Sequence, residues 1–130
     1  MPHYLDTSAL VKLVVREPET AALRKWLRQS GRVALSSDLA RTELIRAVRR
    51  VDPLLASAAR GVLDVLPLIA LDTATYERAA LIDPDILRPL DALHLVVALS
   101  LGDDLEAIVT YDEHMASAAR ASGVAVLAPG

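Results

Sequence analysis

His3-Tyr4-Leu5-Asp6-Thr7-Ser8-Ala9-Leu10-Val11 runs from three residues suited to a short buried strand, through a polar acidic turn, into a helical stretch that continues to Val14. Asp6, Thr7 and Ser8 are residue types that cap helices, so the pattern is strand, acidic turn, helix. The same grammar recurs downstream. Pro18 and Glu19 open a second helix carrying Leu23, Trp26 and Leu27 at helical spacing, Gly31 ends it, and Val33-Ala34-Leu35 reads as a second strand.

Ser36-Ser37-Asp38 offers an N-cap for a helix striped with Leu39, Leu44, Ile45 and Val48, with Glu43 in its early turns. Asp52 and Pro53 start another helix, and Leu66 to Leu71 makes a third strand in which Pro67 indicates an edge position. Asp72-Thr73 caps the next helix, and Asp83-Pro84-Asp85 is a loop. Pro89 or Leu90 begins a helix whose residues Ala92 to Leu101 are apolar almost all round, as in a helix buried at the centre of a domain. Asp91 lies in its first turn. Ala107 to Thr110 is a fourth strand, Asp112 follows it, Glu113 to Ser122 is a helix, and Val124 to Leu127 is a fifth strand.

Strands alternating with helices predict a parallel sheet covered on both faces, in which ligands bind at the carboxyl ends of the strands. Asp6 and Asp112 directly follow the first and fourth strands, and Glu43 and Asp91 lie in helical turns that start at the same edge. Four acids from distant segments are thereby expected on one rim. Each has a structural alternative: Asp6, Asp91 and Asp112 stand where aspartates cap helices or favour the positive end of the helix dipole, and Glu43 could lie on an exposed face. As a group, four close carboxylates need protons or a cation between them, and hard oxygen donors select magnesium or manganese. Such an ion polarises phosphoryl oxygens and activates water, which is the chemistry of phosphodiester hydrolysis.

The 130 residues, 53% of them hydrophobic, suffice for one compact domain over 1–130 and not for two. With no cysteine, disulfides, thiolate zinc sites and cysteine nucleophiles are excluded. The N-terminus lacks the basic head and apolar stretch of a secretion signal, and the apolar run from Leu93 to Leu101 is too short to span a bilayer, so a soluble, cytoplasmic protein without membrane association is expected. The net charge of -3 speaks against a broad basic surface for nucleic acid, although Arg41, Arg46, Arg49 and Arg50 crowd into the segment that carries Glu43. Arg41 is the candidate RNA contact among them; the alternative for each is a solvated helix face.

Tyr4-Leu5-Asp6-Thr7-Ser8-Ala9-Leu10-Val11-Lys12, Ala40-Arg41-Thr42-Glu43-Leu44, Leu90-Asp91-Ala92-Leu93-His94-Leu95 and Val109-Thr110-Tyr111-Asp112 together resemble the ordered motifs of PIN domains. More narrowly, the chain resembles the VapC toxins of bacterial toxin–antitoxin pairs, end to end. The resemblance implies a three-layer α/β/α fold around a five-stranded parallel sheet and a magnesium- or manganese-dependent endoribonuclease neutralised by a cognate VapB antitoxin. It further implies a homodimer. Carried over residue by residue, Asp6, Glu43 and Asp91 surround the metal, Asp112 is a fourth acid acting directly or through water, and Ser8 and Thr110 orient acids or water. Pro89 departs from the small polar or basic residue expected two positions before Asp91.

His94 follows Asp91 by three residues on one helix face, but its apolar neighbours make it a core residue in preference to a ligand. His3 and His114 are expected at the surface, Asp103, Asp104 and Glu106 in a solvated turn, and Trp26 and Tyr76 in the core or an interface. Two rivals stand beside the nuclease. A receiver or phosphoryl-transfer domain would use Asp6 as a phosphorylated nucleophile, but it needs a lysine late in the chain, and the lysines are Lys12 and Lys25. A non-catalytic PIN-like binding module is the other, against which the intact set of acids speaks.

Overall fold

The computed structural model describes residues 1–29 and 31–130. Its elements are β1 (Pro2–Leu5), α1 (Thr7–Val14), α2 (Thr20–Leu27), β2 (Val33–Ser37), α3 (Leu39–Val51), α4 (Ala56–Val65), β3 (Leu68–Ile69), α5 (Thr73–Leu81), α6 (Pro89–Leu99), β4 (Ala107–Val109), α7 (Glu113–Ala121) and β5 (Val126–Leu127). The strands form one parallel sheet in the order β3-β2-β1-β4-β5. This is the expected α/β/α architecture. β1 is central, with Tyr4 in register with Leu35 on one side and Ile108 on the other.

The period of two along a strand builds both halves of the core. Leu5 and Val109 point into a cluster with Ala9, Leu10, Leu23, Leu44, Val48 and Leu63 from α1 to α4. Tyr4, Leu35 and Ile108 point into a second cluster with Leu95, Val97, Ala98, Met115 and Ala118 from α6 and α7. The order of the strands reverses at β1, because the chain leaves β1 for β2 and later returns to β4 on the opposite side. A crevice at the carboxyl ends of β1 and β4 follows from that reversal.

Local capping shows why these elements begin where they do. Asp6, Asp72 and Asp112 each accept a hydrogen bond from a backbone amide in the first turn of α1, α5 and α7. At the end of α7, Gly123 takes a positive φ of 81°, and the amides of Gly123 and Val124 return to the carbonyls of Arg120 and Ala119. A left-handed glycine closing the last turn in this way stops the helix and turns the chain toward β5.

Several boundaries differ from those expected of the sequence. Ser36 and Ser37 are buried residues of β2 and do not cap α3, since Ser36 Oγ donates to the Leu5 carbonyl at 2.7 Å and Ser37 bonds Tyr4. Asp38 makes no cap bond either; it accepts from Arg41 Nε at 2.8 Å. Helix α2 starts at Thr20, after Pro18 and Glu19, and a 3-10 turn over Pro53–Leu55 precedes α4. β3 is a two-residue edge strand next to Pro67, as a residue without an amide hydrogen requires. His3, expected at the surface, is 3% exposed and packs edge-on against Trp26 at 4.8 Å, because the central strand is covered on both faces.

Leu95 is fully buried in the middle of α6. Leu95→Ala is expected to cost about 2–5 kcal/mol of stability, read from the midpoint of urea unfolding. A loss below about 1 kcal/mol would show that the packing of α6 does not hold this half of the core together.

Candidate active site at the ends of the central strands

Asp6 emerges from β1 with its carboxylate almost fully buried, 4% exposed as a residue. Oδ1 accepts from Ser8 Oγ at 2.6 Å and from the Ala9 amide at 3.2 Å, and Oδ2 accepts from Thr110 Oγ1 at 2.5 Å. Ser8 Oγ also accepts from the Tyr111 amide at 2.9 Å, and Thr110 Oγ1 from the Asp112 amide at 3.1 Å. The two hydroxyls thus fasten the turn after β1 to the turn after β4. Burial pushes the Asp6 carboxyl above its usual range, against the opposing pull of Ser8 and Thr110.

Glu43 stands one turn into α3 and meets residues from two other elements. Its Oε1 accepts from Thr7 Oγ1 at 3.0 Å and lies 2.6 Å from His94 Nε2. Partial burial of Glu43 works against ionisation, but the bond and charge of His94, the Thr7 hydroxyl and the Arg88 guanidinium together hold its carboxyl below the usual range.

Asp91, in the first turn of α6, and Asp112, at the start of α7, are joined by Arg88. Its Nε lies 3.1 Å from Asp91 and its terminal nitrogen 3.2 Å from Asp112. Contact with Asp91 first, and then the charges of Asp91, Asp112 and Glu43, raise the Arg88 pKa. One guanidinium therefore senses three of the four acids. A groove of about 420 Å³ opens beside it, lined by Pro84, Ile86, Leu87, Arg88, Asp91 and Glu113 among others.

The sequence-predicted residues thus fall into linked groups along one rim: Asp6 with Ser8 and Thr110, Glu43 with Thr7, and Asp91 with Asp112 through Arg88. As the side chains stand, no three acidic or histidine residues among the described residues are disposed to hold one metal ion together. Arg41 turns away to pair with Asp38 on the exposed side of α3, and Lys12 pairs with Glu19 at 2.8 Å. Sequence reasoning missed Thr7 and Arg88. The signal for Arg88 was present, since it is the basic residue immediately before Pro89, three positions ahead of Asp91. His94 is buried in α6 as expected, but it also bonds a rim carboxylate.

The PIN domain family model matches residues 3–121. Two relatives from Mycobacterium tuberculosis support a narrower placement. Ribonuclease VapC46 is 45% identical over 97% of this chain and 96% of its own length, and Ribonuclease VapC47 is 44% identical over 98% and 96%. The crystal structure of Mycobacterium tuberculosis VapC20, described as a sarcin-ricin loop cleaving toxin, has the same fold, with a TM-score of 0.78 at 18% identity over 98% of this chain and 99% of that one. The chain belongs to the PIN-domain family and, within it, to the VapC ribonucleases.

A buried carboxylate whose pKa is raised in the fold contributes stability at acid pH that is lost as the pH rises through its folded value. Asp6→Asn removes the charge and keeps an oxygen for the Ala9 amide. It is expected to stabilise the metal-free protein at pH 7–8, with the gain vanishing toward pH 3. Thermal melts at several pH values check this, and a destabilised variant at pH 8 would contradict it.

Proposed function

We propose that this protein is the endoribonuclease toxin of a VapBC-type toxin–antitoxin pair, hydrolysing RNA phosphodiester bonds with Mg2+ or Mn2+ as cofactor. The observation that carries the reading is the carboxylate rim at the reversal of strand order, in a chain of a ribonuclease family. Donor chemistry fits a hard divalent cation: four carboxylates, one of them buried with a raised pKa, and a guanidinium already drawn onto two others. Arg88 is the competing cation. Its side chain is 69% exposed, so giving up these ion pairs costs little.

Asp6, Glu43 and Asp91 would hold the ion, with Asp112 as the fourth acid, directly or through water. When bound, such an ion neutralises the phosphate and lowers the pKa of a bound water, so that the reaction needs no nucleophilic side chain. Ser8, Thr110 and the Ala9 amide fix both oxygens of Asp6. Thr7 and His94 hold Glu43 by one oxygen. Arg88, at the mouth of the groove, and Arg41, on the outer side of α3, are the residues we assign to RNA phosphates.

A VapB-like antitoxin is the partner we infer, inhibiting through an arginine or lysine laid on the acids. The contact of Arg88 with Asp91 and Asp112 illustrates how well a guanidinium suits that place. Homodimerisation and a location in the bacterial cytoplasm belong to the same reading. No helix among the described residues is long and apolar enough to cross a membrane.

Purified protein incubated with total cellular RNA should cut it in Mg2+ or Mn2+ and stop on chelation. Asp6→Ala and Asp91→Ala should each lose on the order of 100-fold or more, because disturbing even the residues behind metal ligands costs about 10–100-fold. Cleavage that survives both substitutions, or ignores the chelator, would sink the metal-nuclease reading. Folded protein that binds RNA in Mg2+ without cutting it would favour a non-catalytic PIN-like module.

A further inference from the structure

His94 is 2% exposed, on a helix whose other buried residues are Ala92, Leu95, Val96, Val97 and Ala98. An imidazole in such surroundings must find partners for both ring nitrogens or incur the cost of leaving them unpaired. Both are met. Nδ1 lies 2.6 Å from the Tyr4 hydroxyl, which is in turn hydrogen-bonded to Ser37 at 2.9 Å, and Nε2 lies 2.6 Å from Glu43 Oε1. Tyr4 and Ser37 are fully buried, so β1 and β2 hold the far end of this chain rigidly.

The chemistry of the partners sets the direction of the bonds. A carboxylate can only accept, so Nε2 carries a proton toward Glu43, while Nδ1 is held at 2.6 Å by a Tyr4 hydroxyl that itself donates to Ser37 Oγ. Thr7 Oγ1 donates to the same Oε1. Both donors therefore engage one oxygen of Glu43, and among the described residues no hydrogen bond engages Oε2.

We propose that His94, braced by Tyr4, is a positioning residue that pins Glu43 by Oε1 and so leaves Oε2 as the oxygen offered to the metal. The inference rests on the metal-nuclease reading above and extends it to residues that never touch the ion. Holding one oxygen of a ligating carboxylate fixes its orientation before the ion arrives and removes part of the ordering cost of binding.

The test is titration of the purified, chelator-stripped protein with Mn2+ by calorimetry, with thermal melts recorded in parallel. His94→Leu should weaken Mn2+ binding by about 10–100-fold, the range found when groups behind metal ligands are lost. His94→Gln, whose amide nitrogen can replace Nε2 as donor to Glu43, should recover most of that loss. Tyr4→Phe, which removes one hydroxyl, should weaken binding by a smaller factor, about 3-fold, and it decides the matter with His94→Gln if His94→Leu does not fold. Leu95→Ala, a core change in the same helix, should lower the melting temperature and leave Mn2+ affinity unchanged. Wild-type affinity in folded His94→Leu, equal defects in the leucine and glutamine variants, or full affinity in Tyr4→Phe would each overturn the inference alone. Wild type that binds no Mn2+ would overturn the metal reading and this inference with it.

Discussion

The Asp6 carboxylate, buried at the carboxyl end of the central strand, is the constraint around which the rim is organised. A carboxylate removed from water at the edge of two packed cores is costly unless its oxygens are met. Here Ser8 and Thr110 meet them, and the same two hydroxyls receive the amides of Tyr111 and Asp112. The satisfaction of one charge thus locks the turn after β1 to the turn after β4. Asp112, itself the N-cap of α7, is placed by that lock. Even so satisfied, the Asp6 carboxyl is pushed above its usual range by burial, at the place where strand order reverses.

The remaining acids arrive from helices on opposite faces of the sheet. Helix α3 packs in the core that contains Leu5 and Val109, and α6 in the core that contains Tyr4 and Ile108. Glu43 and His94 meet across the end of β1. Their hydrogen bond is a direct polar link between the two layers, and it depends on Tyr4, a side chain that packs with the α6 layer and reaches Ser37 at the end of β2. Arg88 makes a second link, between α6 and α7, and its exposure marks it as the member of the rim most easily exchanged for another cation.

How much of this was legible in the sequence follows from the physical reach of each signal. Strand, aspartate and capping hydroxyls fall within a few residues of one another, so β1, α1 and Asp6 were readable locally, as were α6 from its unbroken apolar run and β3 as an edge strand from Pro67. Ser36 and Ser37 misled because serine is among the strongly preferred helix caps. Only the pairing of β2 with β1 shows that their hydroxyls serve the Leu5 carbonyl and Tyr4. His3 was expected at the surface, yet it belongs to the central strand, paired on both sides and covered on both faces.

His94 shows where local signals run out. Its apolar neighbours identify a core residue, which it is, and a core histidine reads as inert. Its bond to Glu43 joins residues 51 positions apart, and its bond to Tyr4 joins residues 90 apart. Neither contact leaves a periodic or spacing trace. What the sequence does carry is the anomaly itself: a polar, potentially charged ring in a helix otherwise built for burial, at a cost the chain must recover somewhere. In this fold the cost is recovered at Glu43, so the residue that looks most out of place in α6 is the one that ties that helix to the carboxylate rim.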